Sequence, residues 1–467
     1  MRSIVWFRGK DLRVADHGPL AEAAALGEVI PLFVLDPFFF APERARALPH
    51  RMQFLLDSLR GLEANLARLG SRLLVVPGRS TEAVPRLAAQ WRADRVLAHR
   101  WVEPFGRERD RRVAASLERE GIAFTLFEGE TLLPPGSVRT GQGEMFRVFT
   151  PFARASAPRV DPAPLPAPRQ LPPVPPDVAA DTVPVPPLGD LGLAANPGIQ
   201  AGGEAAGQAR LRAFLAGPLD RYGLDRDRMD LPGTSRLSAD LKFGTLSVRT
   251  VWSAVADQDS SGAAPYLNEL LWREFSHHLL WNRPSLLEGP FRPGFEGFPW
   301  RESSDDWEAW KEGRTGYPVV DAAARQLRAE GFVHNRARMV AASFLAKHLL
   351  LDYRLGEAHY LAWLTDGDWA QNNAGWQWSA GCGCDAQPWF RIFNPVAQGL
   401  KFDPEGDYVK RWVPELANLP PDLVHEPWKA PKALRARLDY PDPIVDHAFA
   451  RARFLAAAKA HLGQAPE

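Results

Sequence analysis

The sequence predicts an α/β N-terminal domain with a parallel, Rossmann-like sheet, joined by a long proline-rich linker to a large all-α domain. Three observations carry that expectation. Apolar β-rich runs alternate with helical patterns over residues 1–130, the mark of parallel strands linked by crossover helices. Between Pro158 and Pro187, 12 of 30 residues are proline, which excludes a packed helix or a central strand. After residue 204 the apolar spacing is helical almost throughout. The expected division is therefore 1–130, 131–203 and 204–467.

The strands are expected at Ser3–Phe7, Val29–Leu35, Arg72–Val76, Arg95–Ala98 and Ala123–Phe127. The helices between them are expected at Pro19–Leu26, Arg51–Leu69, Thr81–Trp91 and Arg107–Arg119. No G-x-G-x-x-G follows the first strand, so the usual dinucleotide fingerprint is absent. The proline-rich stretch reads as an extended, semi-rigid connector running over the surface. In the C-terminal half, helices are expected at Glu204–Leu215, Ser247–Ala256, Ala264–Trp281, Asp305–Gly313, Val319–Glu330, Asn335–Leu350, Gly356–Leu364 and Ile444–Leu462. Ligand sites between packed helices are expected there.

Composition narrows the classes. With 467 residues, the chain is too long for one ordinary core. Acidic and basic residues balance at 56 each, so any nucleic-acid contact must come from a local basic surface. No apolar run approaches the roughly 20 residues that span a bilayer, and the N-terminus has no secretory leader pattern. The two cysteines, Cys382 and Cys384, argue for a reducing cytoplasm and against a disulfide framework. Of 16 tryptophans, 13 follow residue 250. A bulky aromatic core explains them; so do indoles that stack on flat ligands or carry electrons.

Four segments carry candidate chemistry. Gly233-Thr234-Ser235-Arg236-Leu237-Ser238 suits a helix start whose N–H groups hold a phosphate, although an ordinary capped helix explains it more simply. In Asn268–Phe275, Glu269, Trp272 and Arg273 share a helix face at i, i+3 and i+4, which a solvated ion-paired face also explains. His334–Met339 places Asn335 and Met339 one turn apart, with Arg338 on a neighbouring face; an arginine-rich helix start is the plain alternative. Asp366–Trp378 packs two carboxylates, amides and three indoles into 13 residues, which favours a ligand site over core. Gly381-Cys382-Gly383-Cys384 offers too few ligands for zinc, and the adjacent His277 and His278 cannot share a helix face.

Taken together these segments resemble the photolyase/cryptochrome family, and within it the class I cyclobutane pyrimidine dimer photolyases. The resemblance runs from Val5-Trp6-Phe7-Arg8-Gly9-Lys10-Asp11-Leu12-Arg13 to Tyr440-Pro441-Asp442-Pro443-Ile444-Val445. It is most specific from Asn268 to Pro395, through Gly316-Tyr317-Pro318-Val319-Val320-Asp321-Ala322 and Phe390-Arg391-Ile392-Phe393-Asn394-Pro395.

The resemblance implies light-driven repair of pyrimidine dimers in DNA by an FAD that works as FADH⁻. It implies that Tyr222, Thr234, Ser235, Arg236, Leu237 and Ser238 hold the phosphates, with Tyr266 and Arg273 touching the cofactor. Arg338 is expected to pair with Asp366 beside the flavin, Asp366 and Asp368 to flank it, and Asn372 to face N5. A flipped-out lesion would lie between Trp272 and Trp378. Glu269 and Asn335 would bond it, and Met339 would wall it. Arg336, Arg391, Gln398 and Lys401 are the expected DNA phosphate contacts. A cryptochrome photoreceptor and a (6-4) photolyase are the alternatives; the second needs histidines where Asn335 and Met339 stand.

Two further expectations come from the resemblance. Glu103–Asp110 is similar to the antenna region of relatives that bind deazaflavin or flavin. Folate-binding relatives carry Glu where Gly106 stands, and Trp101 departs from the deazaflavin pattern, where an acidic residue is usual. Electrons are expected to reach oxidised flavin through Trp376, Tyr353 and Trp300, with Tyr353 in a position where the family has tryptophan. A phenol gives up an electron readily only with its proton. Asp352 or water would take that proton, or Trp369 would offer a bypass, and photoreduction is expected to be slowed or rerouted. A cytoplasmic monomer is expected.

Overall fold

The computed structural model describes residues 1–161, 163–178 and 181–463. Only helices of six residues or more carry numbers. Five strands form one parallel sheet: β1 (Arg2–Phe7), β2 (Glu28–Leu35), β3 (Leu74–Pro77), β4 (Arg95–His99) and β5 (Ala123–Phe127). They lie in the order β3-β2-β1-β4-β5, with Ser3 opposite both Val29 and Arg95. Helices α1 (Gly18–Leu26), α2 (Pro49–Arg68), α3 (Ser80–Gln90) and α4 (Pro104–Arg119) make the crossovers. Alternation along each strand fills both faces. Val5, Phe7, Val29, Phe33 and Leu97 pack with α1 and α2, while Ile4, Trp6, Leu32, Val76 and Val96 pack with α3 and α4. The strand order reverses between β1 and β4, where a doubly wound sheet opens its ligand crevice.

Among the described residues the proline-rich stretch forms no strand or helix of six residues, as its composition requires. It is more firmly seated than a surface connector. Leu171, Val178 and Val185 are buried, and Leu171 and Val183 donate their N–H to the carbonyls of Leu69 (2.7 Å) and Val75 (2.9 Å). Prolines fix the path, and the residues between them keep the donors and the apolar side chains. Pro162, Ala179 and Ala180 of that stretch lie outside the described residues.

The chain forms two compact units, residues 1–220 with 235–284 and residues 221–234 with 285–467. These cuts differ from the expected 1–130, 131–203 and 204–467. The first unit includes α5 (Phe149–Ser156), α6 (Glu204–Leu215), α7 (Ser238–Phe243), α8 (Val248–Ala256) and α9 (Ala263–Asn282). Buried carboxylates tie two of these helices to earlier backbone. Glu204 accepts from the N–H groups of Val14 and Ala15 at 2.9 and 3.0 Å, and Glu274 from those of Leu132 and Leu133 at 2.8 and 2.9 Å.

The second unit is helical: α10 (Ser304–Glu312), α11 (Pro318–Glu330), α12 (Asn335–Ser343), α13 (Tyr353–Trp363), α14 (Trp369–Ala380), α15 (Pro395–Phe402), α16 (Asp407–Trp412) and α17 (His447–Leu462). The helix expected over Asn335–Leu350 stops at Ser343, and Phe344–His348 winds as one π turn. Helix α14 has a side-chain cap at Asp368 and ends on Gly381 at φ +91°, a backbone conformation that suits glycine. No helix among the described residues is long and apolar enough to cross a membrane.

Candidate flavin and lesion site

In the first unit, Ser235-Arg236-Leu237 precedes the short helix α7. Arg236 sits at φ +56°, a left-handed conformation that non-glycine residues hold only when their surroundings impose it. The Tyr266 hydroxyl, on α9, donates to Ser235 Oγ at 2.9 Å, and burial pushes the phenol up to about 12. Glu269, Trp272 and Arg273 follow on the same helix, all half-buried. Phe149 of α5 stacks on the Trp272 indole at 3.7 Å and 9°, so one face of that ring is covered by the protein itself. Arg273 Nη1 donates to the Glu130 carbonyl at 2.7 Å.

The second unit supplies the other expected residues. Tyr222 is buried, and Thr234 follows Gly233, where any Cβ would fall 2.7 Å from the Asp225 carbonyl. Arg338 donates from Nε to the Val333 carbonyl at 2.7 Å and from Nη2 to Asp366 Oδ2 at 2.8 Å. The other Asp366 oxygen, Oδ1, is buried with no hydrogen-bond partner. A buried carboxylate oxygen without a donor is costly, and a ligand N–H or O–H would satisfy it. Asp368 spends Oδ1 on the Gln371 N–H as the cap of α14 (3.0 Å). Asn372 donates to the Glu357 carbonyl (2.9 Å), which fixes its amide. Asn373 Nδ2 donates to Glu357 Oε1 at 2.9 Å, and burial pushes that carboxyl up to about 7.

Asn335 is exposed and its Nδ2 lies 3.8 Å from Met339 Sδ. Trp378 is half-buried, Arg391 and Lys401 are exposed, and Gln398 keeps a buried Oε1 without a partner. Arg336 departs from its expected role. It is ion-paired to Asp227 at 2.9 Å, stands over the Phe402 ring at 4.3 Å and is 16% exposed on its side chain. A guanidinium so covered is a poor phosphate contact.

The expected electron route can be traced in part. Trp376 is buried against Gly356 of α13, and Tyr353 begins that helix. Tyr353 stands edge-on to Trp300 at 6.3 Å between ring centres. Trp376 also meets Trp310 edge-on at 6.0 Å, and Trp310 stacks on Trp307 at 5.5 Å. The bypass residue named from sequence, Trp369, is 43% exposed at the start of α14. Asp352 is engaged elsewhere: it accepts from the Arg354 N–H at 3.0 Å and holds the same guanidinium.

At the carboxyl ends of the strands, Phe38 and Phe105 stack at 4.1 Å and 13°, with Phe39 edge-on to both and the Arg44 guanidinium 5.5 Å from Phe38. Phe38 and Phe105 are exposed. A Cβ on Gly106 would fall 2.7 Å from that of Trp101, so no side chain fits there while Trp101 keeps its place. The run Phe38-Phe39-Phe40 was the missed signal in the sequence. Glu357 and Trp310 gave none, since each reads as an ordinary helix residue.

A model of the FAD binding domain of DNA photolyase matches residues 266–460, and a model of DNA photolyase matches residues 3–170. This chain belongs to the DNA photolyase family. It is 42% identical to a deoxyribodipyrimidine photo-lyase of Streptomyces griseus, over 95% of this chain and 96% of that one. Identity is also 42% to one from Thermus thermophilus, over 98% of each. A class III photolyase from Agrobacterium tumefaciens superposes with a TM-score of 0.92 at 38% identity, over 99% of this chain and 98% of the other. A Synechocystis cryptochrome gives 0.88 at 31%, over 97% and 99%. An archaeal photolyase from Sulfolobus tokodaii, solved with two FAD molecules, gives 0.85 at 31%, over 98% and 100%. Photolyase membership thus covers both the five-stranded α/β domain and the largely helical FAD-binding domain.

Proposed function

We propose that this chain is a deoxyribodipyrimidine photo-lyase that repairs cyclobutane pyrimidine dimers in DNA under blue light. The observation that carries the reading is full-length similarity to enzymes of that name at 42% identity. When bound and reduced, FAD would supply the electron that splits the dimer and would take it back.

The residues of the chain have simpler tasks. Ser235, Arg236, Leu237, Ser238, Thr234, Tyr222 and Tyr266 hold the cofactor, with Arg273. The Arg338 guanidinium would favour an anionic ring by Coulomb attraction, and Asp366 Oδ1 would be free to accept a hydrogen bond from the cofactor. Asp366 and Asp368 would flank the flavin and ribityl region. The Asn372 amide adds no charge near the ring and bonds either of its redox forms. Photolyases extrude the damaged nucleotide from the duplex, at a cost of a few kcal/mol that is smaller for a damaged pair. Trp272 and Trp378 stack on it, each contributing roughly 1–3 kcal/mol. For Trp272 this requires Phe149 to cover only one ring face. Glu269 and Asn335 bond the pyrimidine edges and Met339 walls the pocket. Arg391, Gln398 and Lys401 meet DNA phosphates, while Arg336 steadies Asp227. Trp376, Tyr353 and Trp300 carry electrons inward when the flavin is oxidised.

The subclass we infer is class I, with class III as the competing assignment because of the Agrobacterium match. The Phe38–Phe39–Phe105 group would hold a second chromophore of flavin or deazaflavin type; Trp101 bars the folate-type Glu at position 106. The protein works as a cytoplasmic monomer. Light-dependent repair of a dimer-containing oligonucleotide tests the whole reading. Glu269→Ala and Trp272→Ala should retain FAD and lose most repair. Wild-type repair and lesion affinity in both variants would remove the pocket. A chain that binds FAD but repairs nothing in light would instead be a photoreceptor.

A further inference from the structure

Phe149 and Trp272 face each other with ring centres 3.7 Å apart and planes 9° from parallel. So short a separation leaves little offset between the rings. Aromatic quadrupoles favour offset or edge-on pairs, with centres about 4.5–7 Å apart, over full face-to-face overlap. The surroundings therefore impose this pair. Phe149 is the first residue of α5, and Pro151 fixes the backbone of that first turn. Ahead of it the chain is closed by a β-bridge between Arg139 and Met145, where the Thr140 N–H donates to the Glu144 carbonyl at 2.8 Å. On α9, Phe275 lies one turn past Trp272. It meets both rings at 6.0 Å, inclined 66° to Phe149 and 73° to Trp272. Phe152 closes the group against Phe275 at 5.1 Å and His278 at 5.3 Å.

Phe149, Phe152 and Phe275 are buried, whereas Trp272 is half-buried. The indole thus stands at the edge of a buried aromatic group. One of its faces is spent on Phe149, so the surface it keeps lies on the other face and the rim.

We propose that Phe149 is a positioning residue for lesion recognition. It pins the Trp272 indole as a fixed platform, and the flipped-out dimer becomes the third layer of a Phe149–Trp272–lesion stack. This rests on the proposed stacking role of Trp272. An indole at a pocket rim otherwise turns about two side-chain torsions, and stopping that motion on binding costs affinity; a ring held beforehand does not carry that cost. The gain is selective. Bases of undamaged DNA stay stacked in the duplex and do not reach the indole, so Phe149 acts on the difference between damaged and undamaged DNA.

Binding of the FAD-loaded protein, in the dark, to a duplex carrying one cyclobutane thymine dimer and to the same duplex undamaged tests this. Phe149→Leu keeps an apolar side chain and removes the flat ring. It should weaken binding to the damaged duplex about three- to tenfold and leave undamaged binding and FAD content unchanged. Phe149→Tyr, which keeps the ring, should bind the lesion within about twofold of wild type. In a Trp272→Ala background, Phe149→Leu should cost nothing further, because the two residues act as one unit. With 5-fluorotryptophan incorporated, the fluorine signal lost in Trp272→Ala should be one narrow line in free wild type and broad or split in Phe149→Leu. Wild-type lesion affinity in Phe149→Leu overturns the proposal. So does an equal loss on both duplexes, a loss that persists undiminished in the Trp272→Ala background, or a Phe149→Tyr as weak as Phe149→Leu. A broad or split Trp272 line in the free wild type overturns it too, and needs no substitution at Phe149. If Trp272→Ala itself binds the damaged duplex like wild type, the lesion-pocket reading fails, and that outcome is separate from the others.

Discussion

Several buried aspartates of the two units are held differently. In the sheet-bearing unit, Asp110 accepts from Arg8 Nη1 at 2.6 Å and Arg109 Nη2 at 2.8 Å. Asp240 accepts from both ends of Arg210 at 2.6 and 2.9 Å, and Asp16 pairs with Arg249. In the helical unit, Asp321 takes its bonds from neutral donors: the Thr315 N–H and hydroxyl at 2.8 and 2.6 Å, the Gly316 N–H at 3.1 Å, and the Tyr440 hydroxyl. Asp403 accepts from the N–H groups of Tyr408 and Val409 at 2.9 and 3.0 Å. Burial therefore wins at both, and each carboxyl is pushed up to about 6. Those two carboxyls of the helical unit sit among neutral donors, whereas Asp366, where a charged cofactor is expected, pairs with Arg338.

The largest effect that would sharpen this contrast is Asp110→Ala. It strands Arg8 and Arg109 as buried cations, and a loss of about 3–5 kcal/mol in urea unfolding is expected. A loss below about 1 kcal/mol would mean that neither cation depends on the pair. In the helical unit the comparable weakness is steric. A Cβ on Gly356 falls 2.1 Å from Trp376 Cη2 and 2.6 Å from Leu345 Cδ2. Gly356→Ala should cost about 1–3 kcal/mol through overpacking, read as a lowered Tm.

An effect of similar size is a pH dependence. The folded protein holds the Asp321 proton more tightly than the unfolded chain, about 6 against 3.8. Its contribution to stability is thus full below about pH 4 and lost as pH rises through 6. The advantage of wild type over Asp321→Asn should shrink by on the order of 1–3 kcal/mol between these limits. An advantage that grows with pH would place a hidden cation beside Asp321.

Strands and long amphipathic helices were legible because their apolar spacing has one period and their burial obeys it. The sheet, α9 and α11 lie within a few residues of expectation. Helix α14 was read as a motif and not as a helix. Its Gly375 and its mixture of amides and indoles give no apolar stripe, and its stability comes from the Asp368 cap and from Trp376 packed on Gly356. The residues that resemble a flavin and lesion site were legible by motif, but their present partners were not. Nothing local foretells that Arg336 meets Asp227, or that Phe149 lies on Trp272 across 123 positions of sequence. The grouping of 204–220 and 235–284 with the sheet has the same origin, because Glu204 and Glu274 find their partners far away along the chain.

The π turn at Phe344–His348 also sets the phase of the chain beyond it. Each residue of an α-helix advances the side-chain direction by about 100°. A turn that takes one residue more than its neighbours acts as an inserted step in that rotation. Deleting one residue between Phe344 and His348 would let a straight helix run from Asn335 onward. Every position from Leu349 would then be delivered about 100° out of phase, and the start of α13 at Tyr353 would be carried with it. A one-residue gap in this short stretch of a relative would therefore be expected alongside a rebuilt Tyr353 neighbourhood, however alike the flanking motifs remain.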